Sequence, residues 1–309
     1  MTTQKIATVF GGTGFIGCHV VQRLAGAGYT VRVPTRNPAA ANVLCPLGSP
    51  GQIVPMHFAP AQPALMEAAL ARADVVVNLL GILYERKEDE FRLVHVETAG
   101  NIARLAKAAG VKRMVHISAL GARAGSSSRY ARTKAEGEQA VLGAFPEATL
   151  LRPSVVFGPE DKFFNRFASM MAFSPALPLI GGGKTKFQPV YVGDVADAVL
   201  AAITRNDTQG KVYELGGPRV ATFRELMELL LQVTGHCRIL VRVPWLIARI
   251  QGVVLGLLPH PPLTLDQVRL LRRNSVVRED ALTFKDLGLS PKAMEAVLPA
   301  YLARYKAAA

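Results

Sequence analysis

A glycine-rich segment near the start of the chain constrains the fold more than any other feature. It reads Phe10-Gly11-Gly12-Thr13-Gly14-Phe15-Ile16-Gly17 and lies between a run of β-branched residues and a helical pattern. In this setting Gly11 permits a tight turn, Gly14 lets the backbone approach a pyrophosphate, and Gly17 lets the helix pack on the strand. Phosphates would meet free N–H groups at the helix start, so the segment predicts a dinucleotide-binding loop; the alternative is a turn without a ligand. The residues expected to line the loop are Gly11, Thr13, Gly14, Phe15, Ile16 and Gly17.

Short β-branched runs alternate with helical patterns, which is typical of an α/β fold with a doubly wound, Rossmann-type parallel sheet. Gly28 and Gly110 are predicted helix stops, and Asp194 is a predicted N-cap. Thr222 and Glu225 have the spacing of a capping box. The predicted strands are Ile6–Phe10, Thr30–Pro34, Gln52–His57, Asp74–Leu80, Arg113–Ser118 and Ala148–Arg152. The predicted helices are Ile16–Ala27, Ala64–Ala71, Phe91–Ala109, Tyr130–Phe145, Asp194–Thr204 and Thr222–Thr234.

The strict alternation ends after Pro153. Prolines and the run Gly181–Gly183 interrupt the chain before a strand-like segment, Phe187–Val192. We therefore expect one compact unit with a nucleotide-binding domain and a smaller C-terminal lobe for a substrate or partner. The predicted ranges are 1–155 and 186–214 for the domain, and 156–185 and 215–309 for the lobe.

The second predicted strand ends without an acidic residue. NAD-preferring sites place a carboxylate there to hold the adenine ribose, whereas this chain reads Thr35-Arg36-Asn37. Because a guanidinium can bind a phosphate through two hydrogen bonds, Arg36 favours NADP(H) over NAD(H); the alternative is an arginine stacked on the adenine. The fourth strand also ends at the crevice, where Gly81 either lets the backbone approach the ribose or ends the strand in a simple turn. The residues expected to line the cofactor there are Asn78, Leu79, Leu80 and Gly81.

Tyr130 and Lys134 lie four residues apart at the start of a predicted helix and therefore share one face. An ammonium beside a phenol favours the ionised phenol, which proton transfer to or from a carbonyl substrate needs. Lys134 can also hydrogen-bond the nicotinamide ribose. With the glycine loop upstream, the pair resembles the short-chain dehydrogenase/reductase superfamily. The turn at Arg152-Pro153-Ser154 resembles its extended members, which adds Pro153 to the expected cofactor-binding residues.

Five further segments narrow this resemblance. They look like the atypical branch of the superfamily that contains the dehydrogenase-like accessory subunit of mitochondrial respiratory complex I and its bacterial relatives. The resemblance implies a protein that holds NADPH mainly as a structural element and helps to assemble or stabilise NADH:quinone oxidoreductase beside the membrane. The segments are Ser126–Tyr130, Lys134–Glu138, Arg152–Gly158, Glu160–Phe163 and Gln188–Val192.

One position departs from active extended dehydrogenases. Those enzymes carry a serine or threonine two residues into the loop after the fifth strand, but here Ser118 is followed by Ala119-Leu120-Gly121. The catalytic hydroxyl is therefore misplaced or absent, and Ser126–Ser128 could replace it. Tyr130 and Lys134 either support turnover or only position the nucleotide. The hypotheses are an accessory or assembly factor, an active NADPH-dependent reductase or epimerase acting on a lipid-like or quinone-like molecule, and an NADPH sensor.

The net charge of +13, with a pI near 10, favours anionic partners such as phosphates, acidic proteins or a lipid surface. Nucleic acid is not expected, because the basic residues are dispersed and lack aromatic interleaving or a helix-turn-helix. The cysteines show no CxxC spacing and the histidines no ligand spacing, so neither a disulfide framework nor a metal site is predicted. With no apolar signal segment after Met1, the chain is expected to stay in the cytosol.

The segment Pro244–Leu258 is strongly apolar, yet it is too short to span a bilayer. Trp245 at one end and several nearby arginines suit it to lie in a membrane interface or to dock on a membrane-bound partner. This predicts a peripheral protein on the cytoplasmic face of the inner membrane, or on the matrix side if it is mitochondrial. The alternative is a helix that only closes the C-terminal lobe. The arginines are Arg242, Arg249, Arg269, Arg272 and Arg273.

Overall fold

The structure, a computed structural model, describes residues 5–307. The first four residues, on which the expectation about an export signal rests, lie outside this range, as do the last two. The strands are β1 Ile6–Phe10, β2 Thr30–Thr35, β3 Ile53–His57, β4 Val75–Asn78, β5 Arg113–Ile117, β6 Thr149–Pro153, β7 Val156–Phe157, β8 Ala176–Ile180, β9 Lys186–Phe187, β10 Val190–Tyr191, β11 Val212–Leu215, β12 Ala221–Thr222 and β13 Ile239–Val243. The α-helices are α1 Phe15–Gly26, α2 Pro38–Ala41, α3 Pro63–Leu70, α4 Glu90–Arg92, α5 Ala99–Ala108, α6 Arg129–Ala144, α7 Phe164–Phe173, α8 Val192–Thr204, α9 Phe223–Thr234, α10 Trp245–Gly256, α11 Leu265–Leu271 and α12 Met294–Leu302.

Seven strands form one parallel sheet in the order β11-β6-β5-β4-β1-β2-β3, which confirms the Rossmann-type fold. Neighbours β1 and β4 are in register, with Phe10 opposite Asn78. Strand addition changes direction between these two strands. Their carboxyl ends therefore open the crevice in which doubly wound sheets bind their ligands.

Apolar layers cover both faces of this sheet. Helices α1 and α8 pack on the face that carries Val9 and Val115, while α3, α5 and α6 pack on the face that carries Val76 and Met114. Because the strands are buried on both sides, they read as continuous apolar runs. The six predicted strands accordingly agree with the structure to within two residues at each end.

Two predicted details of secondary structure are wrong. The segment Phe187–Val192 is not one strand, since β9 and β10 are separated at Pro189, which has no N–H to donate to a ladder. Asp194 is not an N-cap: it lies in the first turn of α8 and accepts a hydrogen bond of 2.6 Å from the backbone N–H of Lys292. The capping box of Thr222 and Glu225 is confirmed.

The predicted helix Phe91–Ala109 is interrupted. A π-helical turn, Leu93–Thr98, stands between α4 and α5. Helix α6 approaches this turn so closely that a Cβ on Gly137 would collide with the carbonyl oxygen of His95. The π turn and the missing side chain together bring α6 against the elements that follow β4.

A second apolar core lies under α7, α9 and α12 and includes Phe157, Phe164 and Leu230. The C-terminal segment does not belong wholly to this lobe, although the sequence assigned 215–309 to it. Phe284 and Leu287 are buried in the core of the main sheet, beside α1 and α8. A β-bridge also joins Leu282 to Tyr213 of β11. We retain the rest of the two-lobe division as a proposal.

Candidate functional site

The glycine loop joins β1 to α1 with the geometry of a phosphate cradle. Gly11 has a φ of +80°, and the N–H of Gly14 donates to its carbonyl oxygen over 3.0 Å. A Cβ on Gly17 would collide with the carbonyl oxygen of Gly11, so only glycine fits there. Helix α1 begins at Phe15 without a side-chain cap, which leaves its first N–H groups for an anion. Thr13 is exposed at the tip of the loop.

The end of β4 lies directly against this loop. A Cβ on Gly11 would stand 3.1 Å from the carbonyl carbon of Leu79, and the side-chain oxygen of Asn78 accepts from the N–H of Leu80 over 3.1 Å. A Cβ on Gly81 would stand 3.8 Å from His95 Nε2 and 4.0 Å from Lys134 Nζ. The structure therefore brings the predicted β4 residues together with the glycine loop and the lysine.

Arg36 follows β2 at the other side of the crevice. Its side chain is exposed, and it pairs with no carboxylate in the part of the chain that the structure describes. The next residue, Asn37, accepts from the N–H of Ala40 and thereby caps α2. The guanidinium is therefore available for a bound phosphate or an adenine ring.

Lys134 is buried behind the crevice. Its Nζ donates to the carbonyl oxygen of Ile117, the last residue of β5, over 2.8 Å, and 3% of the residue is exposed. Burial lowers the pKa of Lys134 to about 8, against a smaller opposing effect of Glu138. A partly neutral amine is therefore present near pH 8.

Tyr130 lies one turn earlier on α6. Its ring meets the rings of Phe91 and His95 edge to face, with centroids 5.9 and 5.4 Å away. Burial raises the pKa of Tyr130 to about 12. Burial is the cause of this shift, so the expectation that Lys134 favours the ionised phenol is not supported by this structure.

The serines do not form a catalytic hydroxyl of the expected kind. The Oγ of Ser118 is buried and has no hydrogen-bond partner among the described residues. Ser128 caps α6 instead: its Oγ accepts from the N–H of Ala131 over 3.3 Å and donates to Asp266 over 2.7 Å. The Oγ of Ser126 accepts from the N–H of Ser128 over 3.2 Å. The prediction that Ser126–Ser128 replace the missing hydroxyl is therefore not supported, because the side chains of Ser126 and Ser128 stabilise the start of α6.

His95 is a site residue that sequence reasoning missed. Its Nε2 accepts from the N–H of Ile82 over 3.1 Å, so Nδ1 carries the proton and donates to Thr133 Oγ1 over 3.0 Å. Burial and the nearby Lys134 charge lower the pKa of His95 to about 3, which keeps the ring neutral. No spacing pattern marked this residue, because its partners come from two other segments.

Asp266 was also missed. From the first turn of α11 its carboxylate accepts from Arg129 N–H over 2.7 Å and from Tyr130 N–H over 3.1 Å. These are orphan donors at the start of α6, so a residue of the C-terminal region holds the helix that carries Tyr130. The capping box of Thr264 and Gln267 marks the start of α11, but no local signal shows that Asp266 reaches α6.

Only one of the two ring nitrogens of His116 has a hydrogen-bond partner among the described residues. Its Nδ1 accepts from Asn78 Nδ2 over 3.1 Å, so its proton is on Nε2, which is buried without a partner in the described range. Burial lowers the pKa of His116 well below its usual value. Together with Ser118 Oγ, this leaves two buried polar atoms whose hydrogen bonds a bound group or a water would complete. The cradle, these two atoms and Arg36 fit a nicotinamide dinucleotide.

A second candidate surface is formed by α10. Its apolar side chains face outwards, and Leu246, Ile250 and Val254 are 67, 58 and 59% exposed. Only Ala248 and Gly252 of this helix are buried, against α11 and its preceding loop. Within residues 5–307, every helix is too short or too polar to cross a bilayer. Closing the lobe accounts for the buried Ala248 and Gly252 but not for the apolar side chains of α10 that remain exposed.

Comparisons with known proteins identify the family of this chain and several of its relatives. The chain belongs to the NAD dependent epimerase/dehydratase family, whose model matches residues 7–216. It is 40% identical over 313 residues to the NADH dehydrogenase [ubiquinone] 1 alpha subcomplex subunit 9 of Arabidopsis thaliana, covering 97% of this chain and 78% of that protein. It is also 31% identical to a ceramide reductase of Caulobacter vibrioides, covering 78% of this chain and 74% of that protein. The UDP-glucose 4-epimerase of Thermotoga maritima shares the fold, with a TM-score of 0.73, 22% identity and coverage of 97 and 98%.

Proposed function

We propose that this protein is an accessory or assembly subunit of NADH:quinone oxidoreductase in which a bound nucleotide is mainly structural. The observation that carries the proposal is the 40% identity to the complex I subunit, which extends over 97% of the chain. The raised pKa of Tyr130 and the buried hydroxyl of Ser118 support a site that binds without turning over. Deleting the protein from its source organism should deplete assembled complex I. Normal levels of assembled enzyme after deletion would exclude this role.

The proposed nucleotide is NADP(H). The glycine loop would hold the pyrophosphate, Arg36 the 2′-phosphate, and Lys134 the nicotinamide ribose. Asn78 to Gly81, Ser118, Tyr130 and Pro153 would border the nicotinamide half. Support comes from the absence of a carboxylate at the end of β2 and from the guanidinium of Arg36, which is exposed and pairs with no carboxylate within residues 5–307.

We expect Arg36→Glu to weaken NADPH binding at least about tenfold, because it removes a charge-assisted contact and adds repulsion. NADH, which has no phosphate at that position, should lose far less. The measurement is titration of both nucleotides against wild type and variant. Equal losses for both would remove the argument for NADP(H).

A second candidate function is reduction of a carbonyl on a lipid-like molecule. The similarity to the ceramide reductase and the shared face of Tyr130 and Lys134 favour it. NADPH would supply the hydride, and Tyr130 would deliver the proton to the substrate oxygen. If Tyr130→Phe abolishes NADPH-dependent turnover of a carbonyl but leaves complex I assembly intact, the protein is an enzyme. If the variant and wild type show no turnover, the accessory role stands alone.

We further propose that α10 docks on an anionic membrane surface beside complex I, on the cytoplasmic face of the inner membrane or the matrix side in a mitochondrion. The exposed apolar face, the surrounding arginines and the net charge of +13 support this position. Vesicles with anionic lipid should bind the protein at low salt and release it as salt screens the charges. Failure to bind at low salt would contradict the proposal.

A further inference from the structure

A small parallel pair of strands in the second lobe ends in an unusual turn. Strands β8 and β13 run side by side, so their carboxyl ends, Ile180 and Val243, are neighbours. The chain leaves β8 through Gly181–Gly183, three residues with φ values of +62, +74 and +73°. It leaves β13 into α10 at Trp245, whose ring covers Gly181 so closely that a Cβ there would collide with it. The turn therefore exposes backbone rather than side chains beside the start of α10.

A cavity of about 230 Å³ opens at this turn, and half of the residues that line it are cations. Neither Lys184 nor Arg242 pairs with a carboxylate in the described part of the chain, whereas Arg224 lies 3.6 Å from Glu228. Arg272 adds a further positive charge over the ring of Trp245, 5.8 Å from its centroid. The residues that line the cavity are Gly182, Gly183, Lys184, Thr222, Arg224 and Arg242.

The acidic groups near the cavity do not cancel this charge. The carboxylate of Glu225 lies at the N-terminus of α9, where it accepts hydrogen bonds from the N–H and the hydroxyl of Thr222 over 2.6 and 2.8 Å. Glu228 forms an ion pair with Arg224. Lys184 and Arg242 therefore leave a net positive cavity whose chemistry suits a phosphate group.

The cavity adjoins the exposed apolar helix. Helix α10 starts at Trp245, next to the glycine turn, and its apolar side chains, among them Leu246 and Ile250, face outwards along its length. A phosphate beside an apolar strip is the chemistry of a phospholipid. We infer that the cavity binds the phosphate of an anionic phospholipid whose acyl chains lie along α10. This site rests on the proposed membrane docking and gives that docking a specific headgroup contact.

The test compares two double variants that remove the same charge. Lys184→Gln with Arg242→Gln empties the cavity of its unpaired cations, while Arg104→Gln with Lys211→Gln removes two exposed cations from the nucleotide domain. Full-length proteins are sedimented with phosphatidylcholine vesicles with and without phosphatidylglycerol. The cavity variant should lose about tenfold or more in partitioning onto the anionic vesicles, since each basic residue at a surface contributes to binding. The control should change less than about threefold, and equal losses would overturn the site.

Trp245 provides a direct readout, because it is the single tryptophan of the chain. Monomeric short-chain phosphatidylglycerol should change its fluorescence in the wild type and in the control, but not in the cavity variant. A response to this lipid without vesicle binding would keep the site and exclude membrane docking. Vesicle binding by all three proteins without this response would keep docking and overturn the site. An equal response to inorganic phosphate at the same concentration would overturn the assignment to a lipid.

Discussion

At the scale of single residues, Lys134 shows how burial sets the chemistry of the site. Its amine is held against the carbonyl of Ile117 and is almost fully removed from water. The neighbouring imidazole of His95 stays neutral and offers no negative charge to balance an ammonium. Burial therefore favours the neutral amine of Lys134.

We expect the stability of the nucleotide-free protein to depend on Lys134 between pH 8 and 10.5. The pKa of Lys134 falls from 10.5 when it is hydrated to about 8 in the fold. The folded state therefore binds fewer protons than the unfolded state in this window, and its stability rises with pH. Relative to Lys134→Met, the wild type should gain about 3 kcal/mol of unfolding free energy across it.

Urea unfolding at several pH values measures this gain. Lys162→Met removes an ammonium at an exposed position and is the matched control. A difference between Lys134→Met and wild type that stays constant with pH would show that the lysine is not buried in the way the structure describes.

At the scale of elements, α6 depends on a distant helix for its start. Its N-cap, Ser128, is local, but the carboxylate of Asp266 comes from α11 and covers three donors at the same end. Helix α11 in turn packs against α10, the exposed apolar helix. The helix that carries Tyr130 and Lys134 is thus joined through the side chain of Asp266, among other contacts of α11, to the surface that we propose for docking.

Asp266→Asn should destabilise the protein by about 1 to 2 kcal/mol. The substitution removes a negative charge from the N-terminus of α6 and leaves one of the two side-chain oxygens that accept hydrogen bonds there. Amide exchange at Arg129 and Tyr130 should accelerate more than elsewhere. Hydrogen exchange with urea unfolding measures both effects. Glu279→Gln, at an exposed acid without a described partner, is the matched control. Indistinguishable variants would mean that Asp266 does not hold α6.

At the scale of the whole molecule, the C-terminal segment packs against the main sheet. After the second lobe the chain returns to this sheet, where Phe284 and Leu287 are part of the apolar layer next to β11. The family match ends at residue 216, before this return. The nucleotide domain therefore depends on residues that lie far beyond the segment that forms its sheet.

Phe284→Ala should cost about 3 to 5 kcal/mol of unfolding free energy, because it leaves a cavity in the core of the sheet. Phe173→Ala makes the same chemical change at a side chain that is 92% exposed and should cost less than about 0.5 kcal/mol. Denaturant unfolding compares the two. A loss of unfolding free energy at Phe284→Ala as small as that at Phe173→Ala would show that the C-terminal segment does not contribute to the core of the nucleotide domain.

Local patterns predicted much of the fold. The glycine spacing, the alternation of strands and helices, and the capping box at Thr222 are formed by residues close in the chain, so their signals are readable in the sequence. The π turn at His95 and the position of Asp194 were not predictable, because both depend on packing against Gly137 or Lys292 from other segments. The same applies to Ser128, because its hydrogen bond to Asp266 joins it to a residue far along the chain.

The sequence by itself determined the parallel sheet, the phosphate cradle and the Tyr130–Lys134 pair, since each follows from periodicity or from the steric needs of glycine. The tertiary structure decided how the pair is tuned, which side chains cap its helix, and that the apolar face of α10 stays uncovered. These properties depend on desolvation and on contacts between separate segments, among them the contact of Asp266 with the start of α6, 136 positions earlier at Tyr130. Such contacts follow from how the whole chain folds, so no local sequence pattern indicates them.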